Sequence, residues 1–278
     1  MGAAESHAFG TRFSHTPPPL VSVLTACLPT QVRGLTSALA SLQAQRGLGR
    51  PGWEWVIQFD GPAPALPAEL ADARAAGLVT IGDSPRAGGA GPAEARNRGL
   101  ARCRAALVQN LDADDELEPS ALAVLSGALS RHPAAAYAAG DARDLLPDGS
   151  LRAVPLELRP GVLEPGAVYS RWRTEPAAEY SVPLHPAGIM WRRSALWEFG
   201  CWPALWGMDD TALLMVVSSF RAGVYVAADT LRYRRHGGQL SGQVEQRREA
   251  LADQVDWVHQ RVAALREAQA ARRMVDLA

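Results

Sequence analysis

From Leu20 onward, short apolar runs alternate with stretches whose apolar residues recur every three or four positions. Val21-Ser22-Val23-Leu24-Thr25-Ala26 reads as a buried strand. Val32, Leu35, Leu39 and Leu42 then mark one face of a helix that ends near Gly47 and Gly49. Trp55-Val56-Ile57-Gln58-Phe59 is a second strand, closed by Asp60-Gly61-Pro62, and Leu78-Val79-Thr80-Ile81 a short third. Pro92 opens a helix through Arg104, because proline loses nothing at a first helical position. The run Ala105-Ala106-Leu107-Val108 follows as a strand, and Pro119 opens a further helix to about Arg131. Strand and helix in strict alternation predict an α/β fold with a mostly parallel sheet sandwiched by helices.

The second half has a different texture. Pro147-Asp148-Gly149 is a turn at the tip of a hairpin, and residues 155–186 are proline-rich and irregular. A helix is expected from Arg192 to Phe199, another from Asp209 to about Arg221, and a last short strand from Val224 to Val226. From Gln243 the spacing of Leu251, Val255, Val258, Val262 and Leu265 predicts a long helix. That stripe favours docking on its own domain and leaves a homodimer through this helix open. The expected organisation is a leader over 1–19, a domain over 20–241 made of two halves (20–145 and 146–241), and a C-terminal helix over 242–278.

Composition narrows the chemistry. A net charge of -1 gives no reason to expect nucleic acid as a partner. All 28 basic residues are arginine, which excludes Schiff-base and P-loop lysine mechanisms. The three cysteines stand far apart, which suits a reducing, cytoplasmic setting better than a disulfide framework. No apolar run has the length of an integral membrane segment.

The strongest chemical signal is Leu111-Asp112-Ala113-Asp114-Asp115, directly after a buried strand. Three carboxylates at a strand end can hold a divalent cation such as Mn2+ or Mg2+, whose shell substrate phosphates complete. Helix capping would need one or two acids, not three. Ligands in open parallel sheets sit at the carboxyl ends of strands, where Thr25, Asp60 and Asp112 also fall. Asp60 can accept the ring N–H of a base, Asp112 can reach ribose hydroxyls, and Asp114 or Asp115 can bridge the metal to a diphosphate. The Gly88-Gly89-Ala90-Gly91 loop lacks both phosphate-binding fingerprints and reads as a flexible connection.

These segments resemble, in order, those of the family 2 glycosyltransferases of the GT-A fold. The matching elements include Val21–Thr25, Trp55–Gly61, Ala95-Arg96-Asn97-Arg98-Gly99-Leu100 and Leu111–Asp115. They continue with Gly188-Ile189-Met190-Trp191-Arg192-Arg193, Gly207-Met208-Asp209-Asp210 and Tyr233-Arg234-Arg235-His236, so the resemblance spans Leu20 to Ser241. It implies a nucleotide-sugar donor such as a UDP-sugar, with inversion at the anomeric carbon, while the lack of a membrane-length run favours a soluble natural-product, peptide or glycan acceptor over a lipid-linked one. By position it puts Asp60 and Arg96 near the base, Asp112 near the ribose, Asp114 on the metal with Asp115 assisting, and His236 on metal or diphosphate. Asp210 is the implied catalytic base, with Asp209 as the other candidate, and Gly188 belongs to an acceptor-side loop. Phe59 stands where the family has a second acid, and Asp209 where it has glutamate.

Trp191, Trp197, Trp202 and Trp206 crowd around the second acidic pair, and Trp206 is the one assigned to the acceptor or donor pocket. His185, between Pro183 and Pro186, reads as structural. A sugar-1-phosphate nucleotidyltransferase would need a basic glycine loop where Cys27-Leu28-Pro29-Thr30 stands. The remaining alternative is a catalytically degenerate nucleotide-sugar-binding scaffold.

Overall fold

The computed structural model describes residues 18–49, 52–86, 88–174, 181–239 and 248–276. The expected leader lies almost wholly outside them, as does the boundary expected at 241–242. Four parallel strands form the first half of the sheet, in the order β3 (Val79–Gly82), β2 (Trp53–Phe59), β1 (Val21–Cys27) and β4 (Leu107–Asn110). Both faces of these strands are covered, which explains their near-continuous apolar sequence. Val21, Val23, Trp55 and Ile57 pack with α1 (Leu35–Gln43), α2 (Ala68–Ala75) and α4 (Ala121–Arg131). Leu24, Val56 and Val108 pack on the other face with α3 (Pro92–Leu100), α5 (Arg193–Glu198) and α6 (Asp209–Phe220).

Beyond β4 the sheet becomes mixed, so the expectation of a mostly parallel sheet holds for the first half alone. β9 (Met190–Arg192) runs antiparallel to both β4 and β6 (Tyr137–Leu145). β10 (Gly223–Arg234) runs parallel to β6 and antiparallel to β5 (Glu116–Leu117) and β8 (Gly161–Leu163). The hairpin expected at Pro147–Gly149 is present, with β7 (Leu151–Ala153) returning antiparallel along β6.

The strand expected over Val224–Val226 is in fact the 12-residue β10. Register shifts between Tyr225 and Leu231 interrupt its alternation, and its far end is polar. Those polar residues are paired across the sheet: Arg232 bonds Glu118 through Nε and Nη2, at 2.8 Å each. A strand satisfied this way carries no apolar period for a sequence pattern to reveal.

The long C-terminal helix is α7 (Arg248–Asp276). Its Leu251, Val255, Val258 and Val262 are buried in one core with Leu213, Val216 and Val217 of α6, so the predicted stripe docks on its own chain. Among the described residues no helix is long and apolar enough to cross a membrane.

Candidate active site

The carboxyl ends of β1, β2 and β4 open onto one edge, and side chains from both halves of the chain gather there. Asp112–Asp115 follow β4 at once and are separated from α4 by β5, so these acids do not cap that helix. α3 delivers Arg96 from behind. It lies close to β1 because Gly99 faces Leu24; a Cβ there would come within 2.5 Å of Leu24 Cδ1.

Arg96 is 7% exposed and holds two acids at once. Its Nη2 bonds Asp112 Oδ1 at 2.7 Å and its Nη1 bonds Asp209 Oδ2 at 2.5 Å. One guanidinium thus links the acidic turn after β4 to the first turn of α6. This differs from the expectation that Arg96 stands with Asp60 near a base: its donors face the two acids. Replacing it with Met would leave Asp209 and Asp112 buried or half-buried without a countercharge. The expected result is a loss of about 3–5 kcal/mol in unfolding free energy. Urea titration reads this directly, and a change within about 0.5 kcal/mol would mean that the double pair does not form in solution.

The two acids opening α6 have different surroundings. Asp209 is 2% exposed and spent on Arg96. Asp210 is half-buried, and its Oδ1 accepts the Thr211 N–H at 2.7 Å. Burial, then the adjacent Asp209 charge, push the Asp210 carboxyl up to about 7, against the pull of Arg96. A carboxylate that takes up a proton near neutrality is suited to general-base work, and Asp210 is the less committed of the pair.

On the opposite side, His236 Nε2 lies 2.7 Å from Asp114 Oδ2. Asp114 and His236 are 28% and 38% exposed at the side chain, so the pair remains within reach of a ligand. Asp115, expected to assist at the metal, does not join them. It is fully buried, and its Oδ1 accepts the Arg234 N–H at 2.9 Å. Burial, then repulsion from Asp112 and Asp114, hold its carboxyl well above the usual range, which makes it a buried acid rather than an anionic ligand. Arg234, from the far end of β10, clasps the same turn. Its Nε bonds Asp114 O at 2.8 Å and its Nη2 bonds Glu116 Oε1 at 2.5 Å. The alternation of Arg232 and Arg234 opposite Glu116 and Glu118 was the available signal.

Three other expected contacts have structural occupations instead. Thr25 is fully buried; its hydroxyl donates to Leu111 O at 2.7 Å and accepts Trp55 Nε1–H at 2.9 Å, so it holds β1, β2 and the acidic turn together. Asp60 accepts the Ala90 and Gly91 N–H groups at 2.7 and 2.9 Å, which leaves its carboxylate engaged rather than free for a base. The glycine loop is therefore a cradle for this carboxylate. Gly89 has φ +71°, and a Cβ on it would meet Asp60 Oδ2 at 2.4 Å. Gly188 is buried against Leu231 and faces β10 rather than a pocket.

The tryptophans separate cleanly. Trp191 and Trp202 are core residues, 1% and 2% exposed, while Trp206 is 39% exposed in the segment leading into α6. Trp197, at 52%, is the other exposed indole of the four.

Among the described residues no group of three or more His, Cys, Asp or Glu side chains is arranged to hold a metal ion. The two-member Asp114–His236 set nevertheless fits a cation that takes its other oxygens from water and a diphosphate, as Mg2+ and Mn2+ do.

Comparison with known proteins bears on the family and the fold. Residues 29–152 match the family model described as glycosyl transferase family 2. No curated protein matches the chain by sequence. Among solved structures, S. aureus TarS 1-349 superimposes with a TM-score of 0.60 at 14% identity, over 77% of this chain and 60% of that one. The TarS 1-349 complex with UDP gives 0.60 at 16%, over 88% and 70%, and the complex with UDP-GlcNAc gives 0.61 at 14%, over 80% and 60%. The chain therefore spans less than two thirds of the first of these relatives.

Proposed function

We propose that this chain, whose residues 29–152 match the family 2 glycosyltransferase model, carries out a metal-assisted, inverting transfer from a nucleoside diphosphate sugar to a hydroxyl or amine of a soluble acceptor. The observation that carries the reading is the Arg96 double ion pair. It joins Asp112, on the donor side, to Asp209 of α6, on the acceptor side, with Arg96 and Asp209 separated by 113 positions in the chain. Residues 20–145 would supply the nucleotide half and 146–241 the acceptor half. A uridine nucleotide is the first candidate, since the TarS 1-349 structures hold UDP and UDP-GlcNAc.

Each side chain then has a defined task. Asp112 accepts from the ribose hydroxyls with its orientation set by Arg96. Asp114 and His236 would hold the Mn2+ or Mg2+. When bound, that ion neutralises charge on the departing diphosphate. Asp210 takes the acceptor proton as the acceptor oxygen or nitrogen bonds the anomeric carbon and the bond to the β-phosphate oxygen breaks. Asp209 stays in its pair and holds the start of α6, while Arg234 and Asp115 fix the turn that presents Asp114. Trp206 offers a stacking face to a sugar or aglycone ring.

The test is thermal denaturation with UDP, GDP and dTDP, each with and without Mn2+, followed by diphosphate release from the matching sugar nucleotide. One nucleotide at a hundredfold excess over its Kd should add about 2.7 kcal/mol of stability, only with metal present. Binding without any turnover would favour the scaffold alternative, and no binding would remove the transferase reading.

A further inference from the structure

His185, expected to be structural, stands where the chain turns against the end of β4, just before the acidic run. It opens the single turn Pro186–Gly188, which packs against β4, β6 and α6. Its ring lies 4.4 Å from that of Tyr233 at an interplanar angle of 54°, and Arg235 covers the same tyrosine ring at 5.5 Å. The packing is complete, yet the polar atoms are not. His185 Nδ1 is buried with no hydrogen-bond partner. The same turn is tied to β4 by Asn110 N–H donating to Ile189 O at 3.2 Å. The Asn110 carboxamide, on a residue 1% exposed, also has neither nitrogen nor oxygen bonded. Native structures leave few buried polar groups unpaired, and here His185, at the head of the turn, and Asn110, at the end of β4 two residues before Asp112, both carry one.

The charged groups acting on this ring are Asp112, Asp144 and Arg235. Burial outweighs both carboxylates and lowers the imidazole to about 4, so at physiological pH the ring is neutral. A neutral ring carries one proton. An unpaired buried acceptor costs less than an unpaired buried N–H, which assigns the lone pair to Nδ1 and the proton to Nε2. His185 as a whole is half-buried, so its other edge stays reachable. An uncharged donor next to Asp112 suits a hydroxyl, whereas a cation would suit the phosphates.

We propose that His185 is a donor-specificity residue whose Nε2–H bonds a hydroxyl of the sugar being transferred. This rests on the glycosyltransferase reading above. It predicts a contact made to the sugar and not to the nucleotide, which a residue of purely structural importance cannot imitate.

The experiment compares wild type, His185→Phe, which keeps a ring against Tyr233, and His185→Asn, which keeps a donor. Kd values are measured by calorimetry for UDP, GDP and dTDP, each beside its glucosyl and N-acetylglucosaminyl conjugates, with Mn2+. For the nucleotide that wild type binds, His185→Phe should lose about 10- to 50-fold in affinity for the sugar conjugate. Affinity for the bare diphosphate should stay within about twofold, and His185→Asn should recover part of the loss. In wild type labelled with 15N-histidine, an Nε2–H tautomer should move on adding the conjugate but not the diphosphate. Equal losses for both ligands, or none for either, would overturn the assignment while leaving the transferase reading intact. A wild type that binds no nucleotide or conjugate at all would overturn both.

Discussion

Asp210→Asn is expected to cut sugar transfer by about 10^3-fold while leaving the Kd for the donor nucleotide within a factor of two. Asparagine keeps the shape and the acceptor oxygen facing Thr211 N–H but cannot take a proton from the acceptor. The pH profile of wild type should carry the same signature. With Asp210 held at about 7, the group is protonated and idle in acid, so kcat should rise with unit slope and level off above that value. The variant's residual activity should lack this limb. Stability must move the other way. The carboxyl ionises near 3.8 in the unfolded chain and near 7 in the folded one, so the native state binds the proton more tightly and loses stability as pH rises between those values. Asn carries no such penalty. Its melting temperature should exceed that of wild type at pH 8, with the gain vanishing by pH 4. A variant with wild-type turnover, or a flat wild-type profile across pH 6–8, would move the base assignment to another group.

Asp114→Ala is expected to abolish the Mn2+-dependent part of nucleotide stabilisation altogether. Asp114 is half of the Asp114–His236 pair, and with it gone a single imidazole remains to share a hard cation that prefers oxygen. The thermal shift given by nucleotide with Mn2+ should fall to that seen with nucleotide and chelator. Asp115→Asn makes the contrast. Asp115 lies buried beneath the turn and accepts only from Arg234 N–H, which Asn can also satisfy through its oxygen. That variant should keep the metal dependence, so equal loss in both would return Asp115 to the ligand set. The comparison is read from melting curves and needs no acceptor.

Much of the fold was legible because it is written in local periods. β1, β2 and β4 appear as continuous apolar runs because helices cover both their faces, and α7 shows a four-three stripe because one face docks on α6. The acidic motifs were legible as runs of adjacent carboxylates, one after β4 and one at the start of α6. β9 and the far end of β10 escaped notice. Three residues hold no period, and in β10 arginines paired to Glu116 and Glu118 replace the apolar residues that a pattern would register.

The sequence by itself determined which chemical groups this chain owns: acids at two motifs, no lysine, a histidine directly after the last strand, and an alternation that builds an α/β sheet. Which of those groups are available was decided by tertiary structure alone. Thr25 and Asp60 stand at strand ends as a ligand-binding residue should, yet one is consumed by Leu111 and Trp55 and the other by a glycine cradle. Asp209 and Asp210 are neighbours of the same type, but the reach of Arg96 from α3 engages the first and leaves the second to titrate. Availability depends on burial and on partners that arrive from more than a hundred residues away. No local pattern encodes those, because a carboxylate's free energy is set by what surrounds it once the chain has closed.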